Sequence, residues 1–591
     1  MTTHIRRLRR SRLESLESRV LLASDLDVAI TSNLDASPVG DQLTYEVAIT
    51  NTDDVSVVAQ VDVSIKPLGV ELNVDDLDGA NGFRIATRRP HPLQPRVTAL
   101  GDVNGDSLVD FLVADSIIFG GSAEIENGVV DLRDLDGSNG FYVGTDGLPW
   151  DGPSVFSVDA GDFNGDGFND ILFGLGNQQP NTVFVLYGSQ GGGASGSVQL
   201  SNLPRFNAET VGQQNFGTVV KNAGDFNGDG FDDILIGISD AAPRGQAFAG
   251  EAHLIFGREN LHDQYETELS QLDGSRGFTL QGTRGGGNVA NSNSPGDFAG
   301  NSVSAADVNG DGYSDLLIGA RGAIHNGRST MGKVYVMFGG QDPNQGEAIL
   351  RLSSMRDGRG FIIAGNTPWA YFGSEVEATD LNADGYADVV VGTQGDTVYV
   401  ILGSAGTDHV DLTNPNDRVI RLEGGDFVSG GGRLNGIGDF NNDGVDDLFA
   451  GNYLDDNAFL LFGREEFVAN DGLTLNTDIN GDNGIRIHSN DYMWVGLAAD
   501  GLGDVNDDGI DDFIVEAWHD DVAKNSFVVF GVDHEPTLAA TQRLTIEPGE
   551  TVEYEFLSPV AEANPGERVV IATEKLEIQQ GRRFRVRLQD V

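Results

Sequence analysis

The sequence predicts an all-β fold: a seven-bladed β-propeller with flanking β-sandwich segments. Three observations carry that expectation. An acidic nonapeptide, DxNxDGxxD or one departure from it, begins at Asp102, Asp162, Asp225, Asp307, Asp380, Asp439 and Asp504. Each copy runs into a short apolar stretch such as ILFG or LLIG, and then into a second that closes on glycine, such as VFVLYG or VYVMFG. Before most copies stands a turn signal followed by alternating residues, as in LDGANGFRI from Leu77 and LDGSNGFYV from Leu135. Apolar runs this short, bounded by turn residues, read as buried strands. With one strand ahead of each loop, every repeat supplies about four, the content of a propeller blade.

Residues 1–23 are basic, with arginine at positions 6, 7, 9, 10, 12 and 19 and only a brief apolar VLLA. That run is too short for a transmembrane helix and for an ordinary signal-peptide core. Residues 24–66 alternate in LTYEVAIT and VAQVDVSI and read as β structure. Residues 67–533 hold the seven repeats. Their phase leaves GFRI, from Gly82, ahead of the first loop without a blade of its own, while the last repeat stops at FVVFG, closing on Gly531, one strand short. Phe83 and Ile85 are therefore expected to pair with the strand at Phe527–Phe530, closing the ring and removing two exposed edges. Residues 534–591, with VEYEFLS, RVVIATEKLEI and RFRVRL, are expected to complete one sandwich with 24–66; two independent strand-rich flanks are the alternative. Arg583, Arg585 and Arg587 fall on one side of the last strand, the pattern of an exposed edge guarded by charge.

The nonapeptide supplies oxygen donors at positions 1, 3, 5 and 9. Calcium takes about six to eight oxygens in flexible geometry, and a loop with side-chain oxygens at alternate positions provides them. The expected donors are Asp102, Asn104, Asp106 and Asp110; Asp162, Asn164, Asp166 and Asp170; Asp225, Asn227, Asp229 and Asp233; Asp307, Asn309, Asp311 and Asp315; Asp380, Asn382, Asp384 and Asp388; Asp439, Asn441, Asp443 and Asp447; and Asp504, Asn506, Asp508 and Asp512. Position 7 is expected to add a main-chain carbonyl, from Leu108, Phe168, Phe231, Tyr313, Tyr386, Val445 and Ile510. Up to seven Ca²⁺ follow. Position 6 must turn the chain with positive φ, which glycine adopts freely. Ser107 replaces that glycine in the first loop, which is expected to bind most weakly. Additional acids at positions 4 and 8, such as Asp507, Asp232 and Asp446, are expected to be solvated and to tune charge only.

The combination of acidic loop and FG-ending strand, as in Val334 to Gly339, resembles the FG-GAP repeat of integrin α-chain propellers and of bacterial surface proteins. The resemblance implies a seven-bladed ring over roughly residues 68 to 533, calcium in inter-strand loops on one face, and a role in adhesion or extracellular recognition. It names no ligand. LESRVLL, from Leu16 to Leu22, is similar to the LEPRxLL sorting motif of large surface proteins, with Ser18 in place of the proline; that resemblance implies that residues 1–23 are an export or sorting segment. The flanks resemble pieces of Ig-like repeats. FG-GAP repeats also accompany a phospholipase D that cleaves glycosylphosphatidylinositol anchors, where a separate domain performs the chemistry; no such domain is expected here.

With 37 basic and 91 acidic residues the net charge is −54. A surface of that sign repels phosphate backbones and excludes nucleic acid as a partner. Cysteine is absent, which excludes disulfides, thiolate metal sites and a cysteine nucleophile. The sequence has no HExxH pair, GxSxG elbow or phosphate-binding glycine loop. His519 with Asp520 and Asp521 is the nearest approach to a catalytic constellation and reads as a surface turn. Trp150, Trp369, Tyr371 and Trp494 precede loops two, five and seven, as candidates for packing or for sugar stacking on a calcium-organised rim. The expected protein is exported, extracellular or at the cell surface, and non-catalytic. It would bind calcium and an extracellular protein or glycan, with no transmembrane segment. A glycan-active enzyme using a propeller face and a purely structural surface-layer module are the alternatives.

Overall fold

The computed structural model describes residues 71–532 except 87–96, 122–127, 145–154, 176–180, 193–196, 209–217, 260, 262–265, 287–294, 329, 356–357, 396, 407, 425–433, 453–455, 465–471, 480, 482 and 519–523. Outside that span it describes the backbone of seven flanking strands. The chain divides into two compact units, Val70–Val532 and a second made from Met1–Gly69 with Asp533–Val591. The export segment, Trp150 and the His519–Asp521 turn lie outside the described residues.

Val70–Val532 is a seven-bladed β-propeller. Each blade has an inner strand, then the acidic loop, then two strands joined as a hairpin, then an outer strand. In blade four these are Ala299–Ala306, Asp315–Ala320, Lys333–Met337 and Gly360–Ala364, antiparallel throughout. Each inner strand lies against the next around the ring, from Val97–Gly101 to Ala499–Gly503 and back. The second strands are buried along their whole length, as in Ile234–Ile238 and Asp388–Gly392. Both faces of each sheet meet a neighbouring blade, which is why these runs are continuously apolar instead of alternating. The core accordingly sits between blades. One cluster joins Leu235, Leu254 and Phe278 of blade three to Leu316, Ile318 and Tyr335 of blade four, and comparable clusters join other neighbours.

Each blade also carries a fifth strand that the sequence did not reveal. A short segment such as Ile349–Arg351 pairs in parallel with the outer strand of the preceding blade, Gly277–Gln281, before the chain enters the outer strand of its own blade. The residue that follows plugs the seam: Val74, Leu132, Leu200, Leu269, Leu352, Leu412 and Leu475 are all buried. Each outer edge is thereby covered by its successor, so the ring presents few free backbone donors and acceptors.

Ring closure follows the phase of the repeat. Gly82–Ala86 pairs antiparallel with Lys524–Val529, placing Phe83 opposite Val528 and Ile85 opposite Ser526. The preceding Glu71–Asn73 pairs in parallel with the outer strand of blade six, Gly484–His488. The N-terminal segment therefore clasps two blades. Phe83 and Ile85 are buried in one cluster with Phe111 and Ile118 of blade one and Ile514 and Val528 of blade seven.

In the second unit, strands from the two ends of the chain pair with each other. Thr44–Asn51 lies between Leu26–Ser32 and Thr551–Leu557, antiparallel to both. Val57–Lys66 lies between Thr537–Ile546, antiparallel, and Arg582–Asp590, parallel. Arg582–Asp590 is flanked on its other side by Val569–Lys575, so it is an interior strand and not the exposed edge its arginines suggested. The parallel partner comes from the opposite end of the chain, and local alternation carries no signal for such a pairing.

Candidate metal centres and the central channel

The seven acidic loops have one geometry. The position 1 carboxylate accepts the N–H of position 5 on one oxygen and that of position 6 on the other, as in Asp225 with Asp229 (2.9 Å) and Gly230 (2.9 Å). The Asn at position 3 also accepts the position 5 N–H, and the position 5 carboxylate accepts the N–H of position 7. These Asx-type turns wind the backbone around the oxygens. They need left-handed residues at two places. Position 6 is one, where Ser107 has φ 71° and the glycines 83–90°. Position 4 is the other: glycine in the first four loops, but Ala383 (φ 53°), Asn442 (55°) and Asp507 (63°) in the last three. The sequence reading found only the first requirement.

Position 9 is the hinge of the motif. Asp110, Asp170, Asp233, Asp315, Asp388, Asp447 and Asp512 are fully buried. One oxygen of each accepts the N–H of the glycine that closes the third strand, Gly120, Gly188, Gly257, Gly339, Gly403, Gly463 or Gly531, at 2.7–3.0 Å. In six loops the other accepts the N–H of position 2, as in Phe226 to Asp233 (3.2 Å). The glycine is obligatory because a Cβ there would meet the position 8 carbonyl: Asp232 O lies 2.2 Å from the one Gly257 would carry. This contact explains why loop and FG strand recur together.

Burial pushes the Asp170, Asp233 and Asp315 carboxyls up to about 8, and Asp110, Asp388 and Asp512 to about 7, against the pull of the glycine N–H; positions 5 and 1 of the same loop add repulsion. Three carboxylates and an amide oxygen are thus carried on one nine-residue turn, and their mutual repulsion is one that a bound divalent cation would relieve. Among the described residues, no three His, Cys, Asp or Glu side chains are gathered as a preformed metal cluster. The carboxylates are engaged with backbone N–H groups, and the position 3 amide bridges them: Asn104 Nδ2 donates to Asp106 (3.0 Å) and Asp110 (3.3 Å).

The loops also touch one another. The position 1 carbonyl accepts the position 8 N–H of the next loop, as in Asn169 to Asp102 and Ala387 to Asp307, both 2.9 Å. Asp232 and Asp446, expected to be merely solvated, face the preceding blade: Asp232 accepts from Asp162 N (3.1 Å) there as well as from Asn222 Nδ2 (3.0 Å) of its own blade, and Asp446 from Thr379 Oγ1 (2.6 Å). Asp511 does the same for Asp439 N (2.9 Å). Neighbouring blades bring these partners within reach. Asp507 is exposed, as expected.

A second polar site lies on the ring axis, where a cavity of about 120 Å³ is lined by inner-strand residues of all seven blades. Lys221 of blade three sits 3.3 Å from Glu377 of blade five and 3.9 Å from Asp159 of blade two. Asp500 of blade seven completes the group, accepting from Ala99 N (3.0 Å) and Asn435 Nδ2 (3.2 Å). One ammonium thus faces three carboxylates. Glu377 raises the lysine pKa, while burial raises Asp159 and takes Asp500 to about 7 despite the nearby ammonium.

The aromatics are not on the acidic-loop rim. Trp369 and Tyr371 precede the inner strand Glu375–Thr379, and the loop at Asp380 follows it, so strand length separates them. Trp494 bears the same relation to Ala499–Gly503 and the loop at Asp504. Trp369 (50% exposed) stands edge-on to Tyr371, and Trp494 (36%) to Trp518. Each inner strand begins at one end of the ring and finishes at the other, which puts all four rings on the face opposite the acidic loops.

The FG-GAP repeat family matches residues 216–255, 299–337 and 372–407, which contain the third, fourth and fifth loops. The chain is 30% identical over 250 residues to integrin alpha pat-2 of Caenorhabditis elegans, covering 41% of this chain and 18% of that protein. This is an FG-GAP, integrin α-like β-propeller. Over 272 residues it is 28% identical to integrin alpha-V of Gallus gallus, covering 43% of this chain and 22% of that one. A stretch of 111 residues is 37% identical to the phosphatidylinositol-glycan-specific phospholipase D of Bos taurus, 17% of this chain and 13% of that protein. These matches span less than a quarter of each relative's length. The likeness supports an adhesion or recognition module. No helix among the described residues is long and apolar enough to cross a membrane.

Proposed function

We propose that the protein is an exported, non-catalytic recognition propeller that acts at the cell surface or outside it, with calcium in its seven acidic loops. The flanking strands would form one Ig-like sandwich interrupted by the ring. The observation that supports this most directly is the sevenfold donor set, three carboxylates and an amide oxygen wound by the same backbone turns each time. Bound cations would neutralise carboxylates that otherwise repel, and would brace the loops against the FG strands of their own blades and against neighbouring loops. Millimolar extracellular calcium suits loops of this open kind.

The test uses the full chain stripped with a chelator and titrated with Ca²⁺ by calorimetry. Its capture by immobilised extracellular proteins and glycans would then be compared in millimolar Ca²⁺ and in chelator. About seven equivalents of calcium, a rise in melting temperature and chelator-sensitive, saturable capture support the reading. A melting curve indifferent to millimolar calcium would sink the metal assignment, and absence of capture in either buffer would sink recognition.

A further inference from the structure

The face opposite the acidic loops carries a charge anomaly. Arg321 follows the second strand of blade four, and its guanidinium makes no hydrogen bond or ion pair among the described residues, in a chain with 91 acids. It is half-buried, with Nε sealed from solvent and unpartnered. Its Cζ lies 5.5 Å above the Phe298 ring, and Tyr371 is within electrostatic reach. Burial lowers its pKa, as expected of a cation desolvated without a counter-charge. Trp369 and Tyr371 are tied to the connection that Arg321 begins, since their main-chain N–H groups donate to the Thr330 hydroxyl (3.2 Å) and carbonyl (3.4 Å).

The acids nearby are already engaged. The connections at this end of blades three and four, residues 239–250, 282–298 and 321–332, contain Arg244, Arg284, Arg321 and Arg328 against Asp240 and Asp297; Asp411 faces His325 (3.0 Å), and Glu251 accepts from Gln281 Nε2 (2.8 Å). Asp297 is occupied by the N–H groups of Thr283 and Arg284 and by the Thr283 hydroxyl. Glu375, the next acid after Trp369, lines the central cavity. In a protein of net charge −54, an arginine whose neighbouring carboxylates are all engaged elsewhere is the reverse of what composition alone would place there.

We propose that Arg321 and Trp369 form a binding site for a carboxylate-bearing sugar, a uronic acid unit of an acidic glycan. The planar guanidinium fork matches a carboxylate, and the exposed indole offers a flat apolar surface for the pyranose ring beside it. A simple acidic peptide would use the fork but leave the indole without a role. The proposal rests on the recognition reading and specifies its ligand class.

The test titrates the full chain, in fixed Ca²⁺, with trigalacturonate, its carboxyl-reduced counterpart and a tri-aspartate peptide. The variants are Arg321→Met, which keeps an apolar stem over Phe298, and Trp369→Ala at an exposed position. Trigalacturonate is expected to bind saturably, and both the reduced sugar and the Arg321→Met variant to weaken binding by about tenfold or more. Trp369→Ala should weaken it several-fold while melting like the parent. Equal binding of the reduced sugar, tri-aspartate binding as tight as the sugar, or indifference to Trp369→Ala would each overturn the proposal, the last also where Arg321→Met fails to fold. Capture by another extracellular ligand, undisturbed in Arg321→Met, would leave recognition standing while the uronate site falls.

Discussion

Replacing Lys221 by Met removes the one ammonium from the ring axis and leaves Asp159, Glu377 and Asp500 facing each other. Removing one partner of a buried ion pair costs about 3–5 kcal/mol. The Lys221 side chain is 34% exposed, so solvent screening brings the expected cost to about 2–3 kcal/mol. For the ring span Val70–Val532, an unfolding entropy of about 2 cal/mol/K per residue converts this to a fall in Tm of about 2–3 °C. The loss should depend on pH. A carboxyl whose folded pKa is raised takes up its proton on folding. Its contribution is full below the ordinary value of 3.8 and is lost as pH rises through the folded value, about 7 for Asp500. Without the lysine, which holds Asp159 and Asp500 down, both rise further. At pH 8.5 the three carboxylates repel and the full penalty appears; at pH 5.5 protonation of Asp500 relieves part of it. Melting of parent and variant at both pH values, in fixed Ca²⁺, measures the difference and cancels effects common to the loops. Adding Glu377→Gln to the variant should restore part of the loss at pH 8.5. An equal fall at both pH values, or none, would refute the electrostatic account.

Three further predictions concern the loops and the clasp. Gly257→Ala should cost about 2–4 kcal/mol, because its Cβ meets Asp232 O with no room to yield; an unchanged melt would dissolve the proposed link between FG strand and loop. Ser107→Gly and Ala383→Gly should each stabilise by about 0.5–1 kcal/mol, relieving left-handed strain at positions 6 and 4, and should tighten Ca²⁺ at those loops in a site-resolved titration. The opposite sign at Ala383 would remove position 4 from the motif. Phe83→Ala should cost about 3–5 kcal/mol, with faster hydrogen exchange in Lys524–Val529, its pairing partner; exchange unchanged there would mean the N-terminal strand does not hold the ring shut.

The blade count, the order of the four strands foreseen in each blade and the closure by Phe83 and Ile85 are legible in one dimension. Each is written in spacing: donors at positions 1, 3, 5 and 9 are set by one turn of backbone, and the repeat phase leaves one strand missing at one end and spare at the other. What depends on neighbouring blades emerges only in the folded ring. Position 4 looks unconstrained because four loops carry glycine and three carry Ala, Asn or Asp; only the observed φ shows a shared requirement. Asp232 and Asp446 look solvated until the preceding blade supplies their donors. The aromatics precede their loops in sequence by a few residues, yet an intervening strand carries them to the other face. Lys221, Glu377, Asp159 and Asp500 come from four blades and converge only because the ring closes. Arg321 is ordinary in sequence, and its want of a partner among the described residues can be seen only in the assembled ring. Local hydrogen-bonding patterns repeat and are legible in one dimension, whereas burial, charge pairing and facing direction are properties of the assembled ring.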